Sequence, residues 1–482
     1  MLGVLARKRT AFAACGGAAL RRPIELINTL LAKSPDLSSF YSTGVNVSDK
    51  ELQSAAISAI YDNVPVGSRL ELKLGSQPVQ VATAIGTSPE KVELYAWTIE
   101  QLEKSNTPVL YYGIRNNYKS DASTIWASLQ EHTENNATSA TSAATLPNAP
   151  KNTISKILAI VPSRYFSFDI ETGGGAVNVA ASKEASIISV KTHGGAITGG
   201  SLQASSISLE SRGGAIAMKQ LTASEIDIKS NGGDISVNTL AGLSMNVDSS
   251  GASSAAAATV AAVRIGACFV EKKGEFLCGT FIADSLRGGT DADGSIHVKL
   301  TSGGISPCNS TGTGAAQNVK GAGFGATVGG IDGALSISSN QGPAIIDLQI
   351  NEGCRDVMVD TSSRGNTTTA PSASTVNLHV APTLAAHVVL NECGKDWMLP
   401  ADTHVVLGED TTRNIYAQLN VEDDEQLGPR SRLQRGNNDD FEGQAGVGAM
   451  PCTLAVRGAG QVRVRRRSWM QARQEVFRLK QL

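Results

Sequence analysis

Apolar residues recur two apart in short runs along most of this chain, and Gly-Gly pairs separate the runs. The pairs stand at 174–175, 194–195, 213–214 and 232–233, spaced by 20, 19 and 19 residues. Spacings of that size belong to stacked repeat architectures. With the first Gly of each pair as zero, offset three holds Val177, Ile197, Ile216 and Ile235. Offset eight holds Leu202, Leu221 and Leu240, and offset thirteen holds Ile187, Ile207, Ile226 and Met245. Offset fifteen holds Leu209, Ile228 and Val247, with Val190 standing in for the first rung, which has one extra residue. Residues two apart share one face of a strand, so the pattern predicts two short strands per rung, separated by turns. Identical offsets over four rungs favour stacked equivalents over an antiparallel sandwich with Gly-rich hairpins. The predicted fold class is all-β, a Gly-rich parallel β-solenoid with rungs of about 19 residues and a short C-terminal basic helix.

The rest of the chain divides around this repeat. Residues 66–130 read as N-terminal strands, with Leu70, Leu72 and Leu74 alternating, followed by a helical stretch from Thr98 to Ser105. Residues 131–152 are rich in Ala, Thr, Ser and Asn and read as a linker or insert. The solenoid domain is placed at 160–400, with irregular later rungs around Ile296–Leu300, Gly329–Ile337, Val357–Val359 and Val376–Val380. Residues 408–449 read as a charged, Gly-rich loop and 455–482 as a basic tail with an amphipathic helix. Aromatic residues make up 5% of the chain and glycine 49 positions, a composition for tight turns and thin strands that disfavours large aromatic-lined pockets.

Charge changes the picture only locally, since the formal net charge is -2. Before Glu25 stand Arg7, Lys8, Arg9, Arg21 and Arg22 with no acid, interleaved with Leu2, Val4, Leu5, Phe12 and Leu20. That is transit-peptide composition, and residues 1–34 are predicted to be a mitochondrial address. The competing reading is a short secretory signal at Ala11–Leu20, weakened by two glycines and the trailing Arg21-Arg22. The tail carries Arg463, Arg465, Arg466, Arg467, Arg473, Arg478 and Lys480, with Trp469, Ala472, Val476 and Leu479 at helical spacing. Arg463, Arg465, Arg466, Arg467, Trp469, Arg473, Phe477 and Arg478 are therefore the candidate interaction residues. Capping of the solenoid end is the first role for this tail, and peripheral contact with an anionic inner membrane the second. Nucleic acid is not expected, because stacking aromatics are too few.

No catalytic, cofactor or metal residue emerges. The chain contains no G-x-S-x-G, H-E-x-x-H, Walker or dinucleotide motif, and the glycines of 321–330 read as a turn between strands. Asp291 and Asp293 lack the other ligands of a calcium loop. The six histidines (132, 193, 297, 379, 387, 404) never take ligand spacing on one element, and His193 is expected to be solvated. The seven cysteines form no C-x-x-C pair, so neither a disulfide framework nor a zinc site is indicated and a reducing compartment is expected. No apolar run approaches the roughly 18 residues of a helical membrane span. On the outer face, Lys191, Glu210, Lys229 and Asp248 occupy equivalent positions with alternating sign, which opposes register slippage rather than building a substrate site.

The segments FSFDIETGGGAVNV (166–179), ISSNQGPAIIDLQI (337–350), VAPTLAAHVVL (380–390) and RRRSWMQ (465–471) resemble the eukaryotic adhesin-domain proteins grouped as "family with sequence similarity 185". The resemblance covers roughly 160–400 and the tail. It implies a parallel β-solenoid and a mitochondrial location, and it carries no catalytic residue onto this chain. The Ala/Thr/Ser insert and the 408–449 segment depart from the family pattern. Together these observations lead to the expectation of a non-enzymatic structural or interaction protein of the mitochondrion with an unidentified protein partner. The alternative is a secreted or surface carbohydrate-binding or carbohydrate-active solenoid, disfavoured by the absence of outward aromatics and paired acids on the regular rungs.

Overall fold

The computed structural model describes residues 52–100, 109–116, 122–130, 152–251, 261–288, 295–301, 325–339, 344–362, 374–407, 414–420 and 451–467. All belong to one compact unit, Gly44–Leu482. These residues are almost entirely strand, wound into an all-β solenoid in which each coil pairs in parallel with the next.

The regular coils are Ile197–Glu210, Ile216–Lys229 and Ile235–Asp248, each a single 14-residue strand rather than two strands divided by a turn. Inward positions explain the difference. In the first coil they are Ile197 and Gly199, then Leu202 and Ala204, then Ile207 and Leu209. Within a pair the spacing is two, as the pleat requires, and between pairs it is three. The ladder lapses at those wider steps, opposite Gly200 and Ser205, so the strand bends twice without ending. Three short sides with their apolar residues inward thus come from one continuous strand.

The fourth corner is the Gly-Gly turn, and its two glycines do different work. Gly213 has φ +109, a backbone region that side chains rarely adopt. Gly214 lies so close to the coil beneath that a Cβ would stand 2.2 Å from the carbonyl oxygen of Gly195. Two residues before the first glycine of each pair stands a fully buried hydroxyl, at Thr172, Thr192, Ser211 and Ser230, and Ser249 continues the series. The hydroxyls of Ser211 and Ser230 donate to Gly214 O and Gly233 O respectively. Thr192 Oγ1 also lies 3.2 Å from Ser211 O, and Ser211 Oγ 3.4 Å from Ser230 O. A column of hydroxyls therefore runs along the interior edge, supplying partners to turn carbonyls that water cannot reach.

The repeat register matches the sequence reading, with one correction. Val177, Ile197, Ile216 and Ile235 stack in one column, and Leu209, Ile228 and Val247 in another. Ile187 does not join Ile207: the residue opposite Ile207 is Ile188, and Ile187 faces outward opposite Ser206. The extra residue of this rung forms a bulge between Ser182 and Ala185, where Glu184 takes φ +57, so the shift falls before Ile187 and not after it.

Coils extend beyond the predicted repeat on both sides. Arg69–Lys73 stacks on Ser167–Thr172, and Gln80–Ile85 on Val177–Val179, so the N-terminal strands are coils of the same solenoid. Thr98–Glu100 ends the strand Val92–Glu100, against the expected start of a helix there. The glycines at 325–330 open the strand Gly325–Ser339 and are not a turn. Within 408–449, Asn414–Leu419 is a strand antiparallel to Ala386–Asn391, not a loop. Most of the 131–152 insert and the whole of residues 1–34 lie outside the described residues.

Candidate interaction surface

The arginines of the tail do not start a helix. Gln461–Arg466 is a strand, paired in parallel with Thr375–Val380 on one side and Asp396–Met398 on the other. Val462 and Val464 point into the core, so Arg463 and Arg465 alternate to the outer face. Arg466 is consumed by the fold: it pairs with Asp402 at 2.8 Å, meets Asn420 Oδ1 at 2.8 Å and donates to Pro382 O. Arg467 continues the ladder through its backbone N–H to Val380 O, and Gln349 Nε2 donates to its carbonyl at 3.2 Å. Trp469, Arg473, Phe477 and Arg478 lie outside the described residues. This strand therefore lies inside the stack and does not itself cap the solenoid end.

The charged ladder stands as expected, with Lys191, Glu210, Lys229 and Asp248 in one register column. The closest ion pairs, however, form within a coil. Glu210 takes Arg212 at 2.8 Å and Lys229 takes Asp227 at 2.7 Å. The Arg212 hydrogen bond holds the Glu210 carboxyl below its usual range, and the Asp227 hydrogen bond raises the Lys229 ammonium. Alternation along the strand places Asp227 and Lys229 on the same face, whereas Arg212 reaches Glu210 from the turn that follows the strand. His193 is also engaged, with Nδ1 2.9 Å from Arg212 Nη1 and Nε2 3.7 Å from Glu171.

The N-terminal end differs from the regular coils. Ile125 is fully buried, so Trp126 beside it turns outward, and its indole lies over Gly113 of the neighbouring strand Val109–Asn116. A side chain at 113 would meet the ring, which is why the facing position is glycine. Arg115 stacks on the indole at 4.7 Å, and Trp126, Arg115, Lys73, Glu71, Glu171 and Ser128 line a groove of about 420 Å³. An outward aromatic with acids beside it therefore does exist, on the N-terminal strands, whereas the regular rungs carry outward acids but no aromatic.

Two cysteines correct the thiol reading. Cys354 and Cys452 are joined by a disulfide, with Cα atoms 5.8 Å apart and a sequence separation of 98. Sequence alone does not reveal the pair, because the partners meet only when Cys452–Arg457 stacks on Ile345–Asp360. Cys268 and Cys278 are buried thiols, and burial pushes Cys268 up to about 12. Among the described residues no three His, Cys, Asp or Glu side chains gather where a metal ion could bind. Asp291, Asp293 and His132 lie outside those residues. No described helix is long and apolar enough to cross a membrane.

Parallel coils and Gly-Gly corners define an all-β solenoid. The chain belongs to the Toastrack DUF4097 family, whose signature matches residues 98–376, more than half its length. That family is not a known enzyme family. No curated protein matches the chain. Among solved structures it is similar to a "putative cell adhesion protein" from Clostridium sporogenes, at 9% identity and a TM-score of 0.13, with 85% of this chain and 99% of the other covered.

Proposed function

We propose that this chain is a non-enzymatic interaction scaffold of the mitochondrion, of the "family with sequence similarity 185" type, presenting its long outer faces to a protein partner. The observation that carries the reading is the outer surface itself. On the regular coils the ion pairs Glu210–Arg212 and Lys229–Asp227 form within a coil, and many other outward positions are small polar residues such as Thr198, Ser208 and Ser236. Such a face offers many weak, alignable contacts and no centre for chemistry. The mitochondrial part rests on the five cations and no acid before Glu25. Deleting residues 1–34, or changing those five residues to Gln, is expected to leave the tagged protein in the cytosol. Unchanged recovery with mitochondria would overturn the location, and an N-glycan on the full chain would place it in the secretory route instead.

The Trp126 groove favours a second reading, a saccharide site on the solenoid end, because its indole and the polar groups of Arg115, Glu71, Glu171 and Lys73 line one concave surface. Binding on a glycan array that is lost in Trp126→Ala would establish it. An array blank for the full chain would dismiss it.

A further inference from the structure

The last coil in sequence is not the last coil in the stack. Ala386–Asn391 and Asp396–Met398 come earlier in the chain, yet Cys452–Arg457 and Gln461–Arg466 lie between them and the coil of Ile345–Asp360 and Thr375–Val380. Leu454 is sandwiched between Val357 and Val388, and Val456 between Val359 and Leu390. The covalent tie to this inserted coil is the disulfide from Cys354 to Cys452, its first residue. Its tether is long. Leu419 and Cys452 both face Ala386, on opposite sides. Two strand spacings, about 10 Å, thus separate them, whereas residues 420–451 connect them.

We propose that Cys452–Arg466 is a removable coil locked in place by the Cys354–Cys452 disulfide, and that reduction by a dithiol frees it so that Ile345–Asp360 restacks directly on Ala386–Asn391. The registers permit the second arrangement. With the coil gone, Val357 comes opposite Val388 and Val359 opposite Leu390, apolar on apolar in a parallel ladder. Restacking keeps Val357 and Val359 covered while Leu454, Val456, Val462 and Val464 leave the core, so the cross-link adds to the burial that holds the coil in place. A connection far longer than the gap lets the coil leave without dragging its neighbours, and the bond removes that freedom.

The chemistry is thiol–disulfide exchange. A thiolate of the dithiol attacks one protein sulfur, the other protein sulfur leaves as a thiolate and takes a proton, and the second thiol of the reagent closes on the mixed disulfide. The dithiol is oxidised to its cyclic disulfide while Cys354 and Cys452 are reduced to thiols, two electrons and two protons being transferred. Both cysteines are buried, so attack follows local opening of the coil.

Hydrogen exchange read by mass spectrometry on the full chain, with and without dithiothreitol, tests this. In the oxidised protein, amides of 452–466 should be as protected as those of 197–248. After reduction, exchange in 452–466 should accelerate about a hundredfold, the scale of losing one long-range cross-link, while 386–391 stays protected. Unchanged protection of 452–466 in a sample whose two thiols are shown by alkylation to be reduced would overturn the lock. Loss of protection at 386–391 together with the coil would overturn the restacking. Free thiols at both positions in protein purified without reductant would remove the premise. The double variant Cys354→Ala/Cys452→Ala should show the reduced pattern without reagent, and an oxidised-like pattern in it would reject the proposal.

Discussion

Ile187 and Ile188 are adjacent and chemically identical, and the solenoid assigns them opposite fates. Ile188 is 0% exposed, in a column with Phe168 and Ile207, whereas Ile187 is 51% exposed opposite Ser206. Ile188→Ala removes buried carbons from a stacked column whose neighbours are fixed by ladders on both sides, so little collapse can fill the space. Such truncations cost about 2–5 kcal/mol, and the rigidity of the stack puts this one in the upper half of the range. Ile187→Ala removes side-chain surface that is already half in water and should cost no more than about 0.5–1 kcal/mol. Because a repeat array need not unfold in one step, urea titration by circular dichroism should be paired with hydrogen exchange at 167–172 and 206–210, the strands that sandwich the site. If Ile187→Ala proves as damaging as Ile188→Ala, the bulge at Glu184 is misplaced and the register is wrong by one. Glu184 supplies a check with the opposite sign. At φ +57 a non-glycine residue costs on the order of 1 kcal/mol, so Glu184→Gly should be neutral or stabilising.

Gly214→Ala should destabilise by about 3 kcal/mol or more, because backbone must move to admit the Cβ, and it should exceed Gly213→Ala, where open space leaves only conformational strain of about 1–3 kcal/mol; thermal melts that reverse this order would reject the two roles. The Lys73 hydrogen bond holds the Glu71 carboxyl below its usual range, so the pair's contribution is present above the unfolded carboxylate pKa and lost as pH falls through the lower folded value. A carboxyl-detected NMR titration should show that depressed midpoint and its rise in Lys73→Met; a midpoint unmoved by the variant would show that Lys73 is not its cause. Cys268 and Cys278, both raised by burial, should resist maleimide in the native protein and react on unfolding, and rapid native labelling of either would place it at the surface.

Much of the fold was legible because a solenoid writes its geometry as a period. The columns through Ile216, Leu221, Ile226 and Ile228 could be read from spacing alone, since each coil repeats the same inward positions. What the period concealed lies where a local residue shifts phase or where order in space departs from order in sequence. The bulge at Glu184 needed only one extra residue, and counting does not say where in a rung it falls. Three sides per coil were hidden because the inward positions change step from two to three at Gly200 and Ser205, which reads as two strands with a gap. The hydroxyl column was visible as Thr or Ser two places before each Gly-Gly pair. Its meaning depends on burial, which small polar residues do not announce. The disulfide and the place of the terminal coil were out of reach, because Cys354 and Cys452 meet only through a stacking that skips back over Ala386–Met398.

That skipped order changes what the basic C-terminus can do. As a free helix the tail would have offered seven cations to an anionic surface, each contributing on the order of 1 kcal/mol near a membrane. The structure spends Arg466 on Asp402, Asn420 and the Pro382 carbonyl, and fixes Arg463 and Arg465 on a strand two residues apart on one face. Beyond Arg467 there remain Arg473, Arg478 and Lys480 against Glu475, a surplus of two positive charges. Each such charge contributes on the order of 1 kcal/mol near an anionic surface. An anionic partner would therefore gain more from the strand arginines than from the residues that follow, because Arg463 and Arg465 are already ordered and lose little side-chain entropy beyond what the ladder has fixed. The chemistry of the C-terminus is in this sense a property of the solenoid face, set by the alternation of Val462, Arg463, Val464 and Arg465, in which the same pleat that buries the valines presents the arginines.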